Sequence, residues 1–208
     1  MDKNRYLIGL IGLMLGFIIS FVWTQRYNIN NAPVAQAQGG ANPHGAAGGG
    51  NSSMGDIQQV IANAKNNPKD FDAQIQAALA YAQINRNEGA IEYLENAYTA
   101  DPAKFTNLDK KDGQLYGASL FLGEWYLYEK SNYDGAEKWL KRAAEGDPNN
   151  AETLRHLVEA YAMKKDGRSA EEYLNRLKQL DPSHKKLGEL QTLVADVKAG
   201  KEVKLPEH

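Results

Sequence analysis

A length of 208 residues, with 42% hydrophobic and 24% charged side chains, is enough for one domain of ordinary size together with tails. The absence of cysteine excludes disulfides, thiolate metal sites, thiol nucleophiles and lipid anchors on cysteine. The net charge of −2 gives no sign of a protein that binds nucleic acid by neutralising phosphates.

The first predicted element is a membrane-spanning helix over residues 6–23, which follows a short N-terminus of residues 1–5. The run from Tyr6 to Trp23 is uncharged and mostly apolar. As a helix it would span roughly 27 Å, close to the thickness of a hydrocarbon core. A cleaved signal peptide is the alternative, but the nearby A-x-A pattern begins only at Ala35. We therefore expect an uncleaved signal-anchor.

The charges that flank this run predict its orientation. Lys3 and Arg5 precede it, whereas Arg26 alone follows it closely. Under the positive-inside rule the N-terminus lies in the cytoplasm. The rest of the chain is then extracytoplasmic, on the periplasmic side of a single-pass protein.

Small residues form a stripe along one side of the predicted span. Helix-packing interfaces in membranes favour such spacing, because glycine lets two backbones approach closely. The alternative is that glycine is simply common in membrane helices. If the stripe is used, it pairs the span with another transmembrane helix or with a second copy. Its members are Gly9, Gly12, Gly16 and Ser20.

Residues 24–55 are predicted to be a disordered linker rich in glycine, alanine and asparagine. From residue 28 to residue 55 the sequence has no charge and almost no large apolar side chain. Such a segment cannot bury enough surface to fold. His44, within Asn42–Gly45, is a possible metal ligand or docking contact, but a solvated side chain is the simpler interpretation.

An internal repeat organises the chain after the linker. Four prolines close successive segments, and three of them follow an aspartate. Counting back from the last three prolines, a small residue, an aromatic residue and a leucine recur at fixed helical spacing. The prolines are Pro68, Pro102, Pro148 and Pro182. The recurring triplets are Ala90, Tyr93 and Leu94; Ala136, Trp139 and Leu140; and Ala170, Tyr173 and Leu174.

This pattern resembles the tetratricopeptide repeat family over about residues 56–182. The pattern itself predicts antiparallel helix pairs, and the resemblance implies that they stack into an all-α superhelix with a concave groove. We expect about three pairs, plus a leading helix and a capping helix around Leu190. The domain would cover residues 56–199, followed by a tail of residues 200–208. The middle unit departs from the pattern by an insertion near 103–113, of which residues 109–113 are interpreted as an exposed loop, and by a one-residue offset.

The resemblance also implies which side chains line the groove. These positions occur on the first helix of each pair and offer a mixed apolar and charged surface, suited to an extended peptide or an amphipathic helix. We expect Tyr128 and Arg155 to be surface contacts whose removal spares stability. The nine positions are Ile75, Leu79, Gln83, Leu120, Glu124, Tyr128, Arg155, Glu159 and Met163.

The sequence offers no constellation for catalysis. It contains no nucleophile elbow, no phosphate-binding loop and no paired-histidine metal motif. His156, beside Arg155 and Glu159, is interpreted as a surface histidine. We therefore expect no enzyme activity, no cofactor and no metal.

Two functions fit these features. The first is a membrane-anchored protein-binding module that serves as an assembly or scaffold factor, an architecture similar to bacterial translocon ancillary subunits and cytochrome c assembly factors. The second is an accessory structural subunit of a larger membrane complex. A fixed partner at constant ratio would favour the subunit, and a varied set of clients would favour the assembly factor.

Overall fold

A computed structural model of the chain describes residues 54–206. The predicted anchor, its small-residue stripe, the linker and residues 207–208 lie outside the described residues. Among residues 54–206, no helix has the length and apolar character that crossing a membrane requires.

The described part of the chain is entirely helical, as the repeat pattern predicts. A π-helical turn over Trp125–Glu129 follows the fifth α-helix directly. The α-helices are α1 (Met54–Asn66), α2 (Phe71–Gln83), α3 (Asn87–Ala100), α4 (Pro102–Asp109), α5 (Ala118–Glu124), α6 (Tyr133–Gly146), α7 (Ala151–Met163), α8 (Gly167–Leu180) and α9 (Leu187–Lys198).

Polar side chains begin four of the helices, and Asp-Pro pairs end three. An N-cap oxygen accepts hydrogen bonds from free backbone amides in the first turn of α2, α6, α7 and α8. Proline has no backbone N–H and disfavours the α conformation of the residue before it. Each Asp-Pro pair therefore ends a helix. The N-caps are Asp70, Asn132, Asn150 and Asp166. The C-caps are Asp101, Asp147 and Asp181.

The chain forms two compact units, which divide inside α4 between Phe105 and Thr106. In the first unit α1 packs on α2, and α2 packs on α3. The Gln74 side chain joins α2 to the end of α1 by donating to the Ala64 carbonyl at 2.8 Å. The rings of Tyr81 and Tyr93 stack at 5.5 Å and hold α2 against α3. This unit contains the predicted leading helix and the first repeat.

The second unit contains two helix pairs and a cap. α5 pairs with α6, α7 pairs with α8, and α7 also contacts α5 and α6. α9 packs on α7 and α8 with Leu190, Val194 and Val197 buried, which confirms the predicted capping helix. Because neighbouring pairs contact each other, their apolar faces form one continuous core within this unit.

The recurring residues of the sequence pattern form the contacts between the two helices of each pair. The small residues Ala90, Ala136 and Ala170 are at most 1% exposed. Their leucine partners are also buried, and the Tyr161 and Tyr173 rings stack at 5.5 Å, as the equivalent tyrosines do in the first repeat. The predicted helix pairs are thus confirmed.

The π-turn accounts for the one-residue offset of the middle repeat. All three repeats end their first helix at a residue with positive φ, and the amide after it donates back to the repeat tyrosine. In the middle repeat this bond spans one residue more, and Lys130 N bonds to the Trp125 carbonyl across a wider turn. The extra residue is therefore absorbed inside the helix. The equivalent bonds are Arg86 N to Tyr81 O, Asn132 N to Tyr126 O and Asp166 N to Tyr161 O.

The insertion before the middle repeat contains the predicted exposed loop at Lys110, Lys111 and Asp112, but it also contains a helix and a buried aspartate that the sequence did not predict. Its first part is the additional helix α4, and Asp109 at its end is only 6% exposed. The Asp109 carboxylate accepts a hydrogen bond from the Ser119 amide at 3.1 Å in the first turn of α5. Burial raises the pKa of Asp109 to about 6, although its hydrogen bonds with Ser119 oppose this. Asp109 thus ties the insertion to the repeat.

Candidate functional site

The nine predicted groove residues lie on the first helices of the repeats, but they differ in burial. Ile75, Leu79 and Glu159 are buried, at 0%, 7% and 1% exposed. These three side chains lie beneath the surface and are not themselves open to solvent. The other six are partly exposed: Gln83, Leu120, Glu124, Tyr128, Arg155 and Met163.

Four of the nine converge on a histidine that the sequence suggests is a surface residue. His156 is 1% exposed, so that expectation was wrong. Its ring lies between the end of α5, the π-turn and its own helix α7. We call this group the His156 cluster, and its members are Glu124, Tyr128, Arg155, His156 and Glu159.

Both ring nitrogens of His156 face carboxylate oxygens. Nε2 lies 2.7 Å from Oε1 of Glu124, and Nδ1 lies 3.1 Å from Oε2 of Glu159. Only a doubly protonated imidazolium donates to both. The ring thus links the last residue of α5 to α7.

The Tyr128 hydroxyl is the second centre of the cluster. It donates to Oε2 of Glu159 at 2.5 Å and lies 2.7 Å from Nδ1 of His156. It also accepts from Nη1 of Arg155 at 3.1 Å. Because Tyr128 belongs to the π-turn, the unusual turn and the cluster are parts of one structure.

The guanidinium of Arg155 is neutralised by carboxylates of its own helix. Nη1 donates to Oε1 of Glu159 at 3.0 Å, and Nε donates to Oε2 of Glu152 at 2.7 Å. This arrangement leaves Arg155 poorly placed to capture a carboxylate from a partner. The site is therefore not a clamp for a chain-terminal carboxylate.

The charges of the cluster stabilise one another despite their burial. Burial alone would raise the pKa of Glu159, but His156 and Arg155 hold it at about 2. Burial likewise disfavours ionised Tyr128, and the Glu159 charge adds to this, so the pKa of Tyr128 rises far above its ordinary value. Glu159 is thus an anion and Tyr128 a neutral donor over the physiological range.

These contacts correct the expectation that Tyr128 and Arg155 are simple surface contacts. Both bond to Glu159, which is 1% exposed, so replacing either one leaves a buried anion short of a donor. No sequence signal marks His156 as the hub, because its neighbours Glu124 and Tyr128 are distant in sequence.

Comparison with known families agrees with this architecture. Two models, each described as a tetratricopeptide repeat, match residues 50–111 and 127–195. The chain is a tetratricopeptide-repeat protein. Tetratricopeptide repeats are typically non-enzymatic modules that bind other proteins. No curated protein matches the chain.

The two tetratricopeptide matches fall on the elements that the repeat pattern marks out. The first begins before α1 and ends in the segment after α4, and the second runs from the π-turn into α9. Of the His156 cluster, Glu124 lies just before the second match and Tyr128 at its start, and the three residues of α7 lie well inside it. All five residues lie on the first helix, or on the π-turn that ends it, of the middle and third repeats.

Proposed function

We propose that this tetratricopeptide-repeat protein is a membrane-anchored, non-enzymatic binding module that holds a protein segment on the extracytoplasmic side of the membrane. In this role it serves as an assembly or scaffold factor. The observation that carries the proposal is that repeats of a protein-binding family match both described units. The anchor rests on the uncharged sequence of residues 6–23.

The partly exposed groove residues make the contact in this proposal, and the buried ones support them. Gln83 and Met163 occupy the same position at the end of the first helix in the first and third repeats. Arg155 is neutralised internally, so the groove offers mixed apolar and polar contacts rather than a charged clamp. Such a surface suits an extended peptide or the face of an amphipathic helix.

Tethering to the membrane gives this weakly charged groove its advantage. A flexible linker the length of residues 24–55 has a reach of about 30 Å, so the repeats search a small volume near the membrane surface. Partners in the same membrane are then met at a high effective concentration. Modest contacts are sufficient under these conditions.

Site-specific photo-crosslinking in intact membranes tests the binding surface. A photoreactive residue in place of Gln83 or Met163 should give a discrete adduct with a partner protein. The same residue in place of Lys178, which is exposed on the second helix of the third repeat, should not. Identical products from all three positions, or none from the groove positions, would refute the groove.

Because the natural chain contains no cysteine, its topology can be tested with single introduced cysteines. We expect a membrane-impermeant maleimide to label Lys178→Cys in intact spheroplasts, and to label Lys3→Cys only after lysis. Labelling with the opposite pattern would place the repeats in the cytoplasm. Recovery of the chain in the soluble fraction after lysis would refute the membrane anchor.

A further inference from the structure

The Nε2 atom of His156 faces two groups that favour opposite protonation states. Oε1 of Glu124 lies 2.7 Å away. As an ionised carboxylate oxygen, it accepts hydrogen bonds and cannot donate one. Nη2 of Arg155 lies 2.8 Å away and can only donate one. A protonated Nε2 therefore bonds to Glu124, and a deprotonated Nε2 bonds to Arg155. The ring has a ready partner in either state.

We propose that His156 is a proton-operated clamp between α5 and α7. In the closed state the imidazolium donates through Nε2 to Glu124 and through Nδ1 to Glu159. When Nε2 loses its proton to solvent, the ring keeps Nδ1–H, accepts from Arg155 and releases Glu124. The proposal concerns the packing of the second unit and does not depend on the proposed binding function.

The charge balance of the cluster favours the closed state. With His156 protonated, the carboxylates of Glu124 and Glu159 are matched by two cations, the ring and Arg155. Loss of the proton leaves a net negative charge at a site where the ring is 1% exposed. Releasing Glu124, which is 19% exposed, moves that charge toward water.

The groups around the ring come from four parts of the unit. Glu124 ends α5, and the Tyr128 hydroxyl comes from the π-turn. α7 itself contributes Arg155 and Glu159, and Glu152 lies behind Arg155. The segment before α9 contributes His184, whose Nε2 lies 3.5 Å from Glu152. Within residues 54–206, no charged side chain of α6 or α8 lies within hydrogen-bond distance of the ring.

The electrostatics of the ring agree with this geometry. Burial alone would lower the pKa of His156, and Glu124 followed by Glu159 outweighs it, so the pKa is raised. A histidine in an unfolded chain has a pKa of about 6.5. The clamp therefore stabilises the fold fully below about pH 6.5, and this stabilisation is lost as the pH rises through the raised value.

The clamp controls the end of a helix that contains an unusual turn. Glu124 is the last residue of α5, and the π-turn begins at the next residue. The bond across the wider turn, from Lys130 N to the Trp125 carbonyl, is 3.2 Å long, and side-chain contacts to α7 add to it. Opening the clamp removes one such contact and leaves Tyr128 as the remaining link from the π-turn to Glu159.

Titration of the imidazoles in the full-length chain tests the clamp. The sequence contains four histidines, so selective ¹⁵N-histidine labelling in detergent micelles gives a small set of resonances, and His156→Gln identifies one of them. We expect His156 to be doubly protonated at pH 6.5 and to lose its Nε2 proton at higher pH. The neutral ring should be the Nδ1–H tautomer, which long-range ¹⁵N couplings distinguish.

Matched carboxylate variants connect the titration to Glu124. Glu124→Gln removes the charge that faces Nε2, and should lower the proton affinity of His156 tenfold or more, one pKa unit or above. The control is Glu129→Gln, the same change on an exposed residue of the π-turn, which should leave the titration unchanged. If His156→Gln does not fold, His44→Gln, His184→Gln and His208→Gln identify the other three resonances, and the fourth is His156.

The outcomes separate the clamp from simple burial. A His156 that is neutral at pH 6.5, or a neutral Nε2–H tautomer, overturns the proposal. Equal shifts in Glu124→Gln and Glu129→Gln also overturn it, because the effect would then be one of general charge. Asp109, whose pKa burial raises to about 6, makes no hydrogen bond or ion pair with His156 among the described residues, so its titration should not move the His156 resonance. A failed crosslinking experiment would leave the clamp unaffected.

Discussion

The first and third repeats have the same internal packing but different groove positions. Both stack a tyrosine of the first helix on a tyrosine of the second, with ring centres 5.5 Å apart. At the position of Leu79 in the first repeat, however, the third repeat has Glu159. The buried side chain is apolar in one repeat and ionised in the other.

The contrast separates two kinds of position in a repeat. Contacts between the two helices of a pair are close and uniform, so packing restricts them to a few residue types. In the second unit, predicted groove positions such as Glu159 contact the neighbouring repeat, so the residue type there can vary with that neighbour. In the third repeat, residues at such positions form the His156 cluster. Buried charge is seldom the most stabilising choice, which points to a role beyond stability.

The largest effect should come from removing the charge on which the cluster depends. Glu159→Ala leaves Arg155 and His156 without their buried anion, and should lower the free energy of unfolding by about 3–5 kcal/mol near pH 7. Leu79→Ala, at the same position in the first repeat, should cost about 2–5 kcal/mol through the cavity it leaves. Urea unfolding of the full chain, followed by circular dichroism, measures both.

The pH dependence distinguishes the two losses. The pKa of Glu159 is about 2, below its ordinary value, so its stabilisation is complete above about pH 4.5 and is lost as the pH falls toward 2. The penalty of Glu159→Ala should therefore shrink on acidification, whereas that of Leu79→Ala should stay constant. Parallel curves would show that Glu159 acts only by filling space.

A smaller effect should follow from removing one hydroxyl. Tyr128→Phe keeps the ring and takes a donor from Glu159, which should cost about 1.5–3 kcal/mol. Tyr81→Phe is the matched control in the first repeat, since the Tyr81 hydroxyl makes no hydrogen bond to the described residues. We expect its cost to be within about 0.5 kcal/mol. Equal losses of unfolding free energy in the two variants would show that the Tyr128 hydroxyl does not stabilise the cluster.

The sequence predicts the scaffold well because packing restricts it. The repeated alanines and leucines, such as Ala136 and Leu140, define which faces of the helices meet, and the Asp-Pro pairs define where helices end. The leading and capping helices follow from the need to cover the terminal repeats. These features depend on local spacing, which is visible in a single chain.

The parts that the sequence does not predict depend on contacts between distant residues. His156 has polar neighbours within its own helix, which suggests a surface residue, but Glu124 and Tyr128 approach it from another repeat. The one-residue offset is visible in the sequence, whereas its absorption in a π-turn is not. The segment before Asp109 contains no repeat pattern, so its helix was missed.

Glycine substitutions test whether the middle repeat packs as tightly as its partners. A Cβ added at Gly123 would lie 2.5 Å from Cγ of Leu140, so Gly123→Ala should destabilise the chain by about 1–3 kcal/mol. Gly188, in the first turn of α9, has open space around its Cα, so Gly188→Ala should stabilise by up to about 1 kcal/mol. Thermal unfolding of the two variants should shift in opposite directions. A stabilising Gly123→Ala would mean that α5 and α6 lie farther apart.

The smallest effects should come from surface ion pairs, which lack the burial that distinguishes the His156 cluster. Asp72 pairs with Lys104 at 2.8 Å in the first unit, and Glu171 pairs with Lys198 at 2.7 Å in the second; all four side chains are at least 40% exposed. Water and salt screen such pairs, so Asp72→Asn and Glu171→Gln should each cost no more than about 1 kcal/mol, and less in 1 M salt. Urea midpoints at two salt concentrations measure this. Because Glu159→Ala removes the same kind of charge from a buried site, its penalty should persist in high salt. A penalty that salt abolishes equally in all three variants would show that the cluster is as open to solvent as the surface pairs.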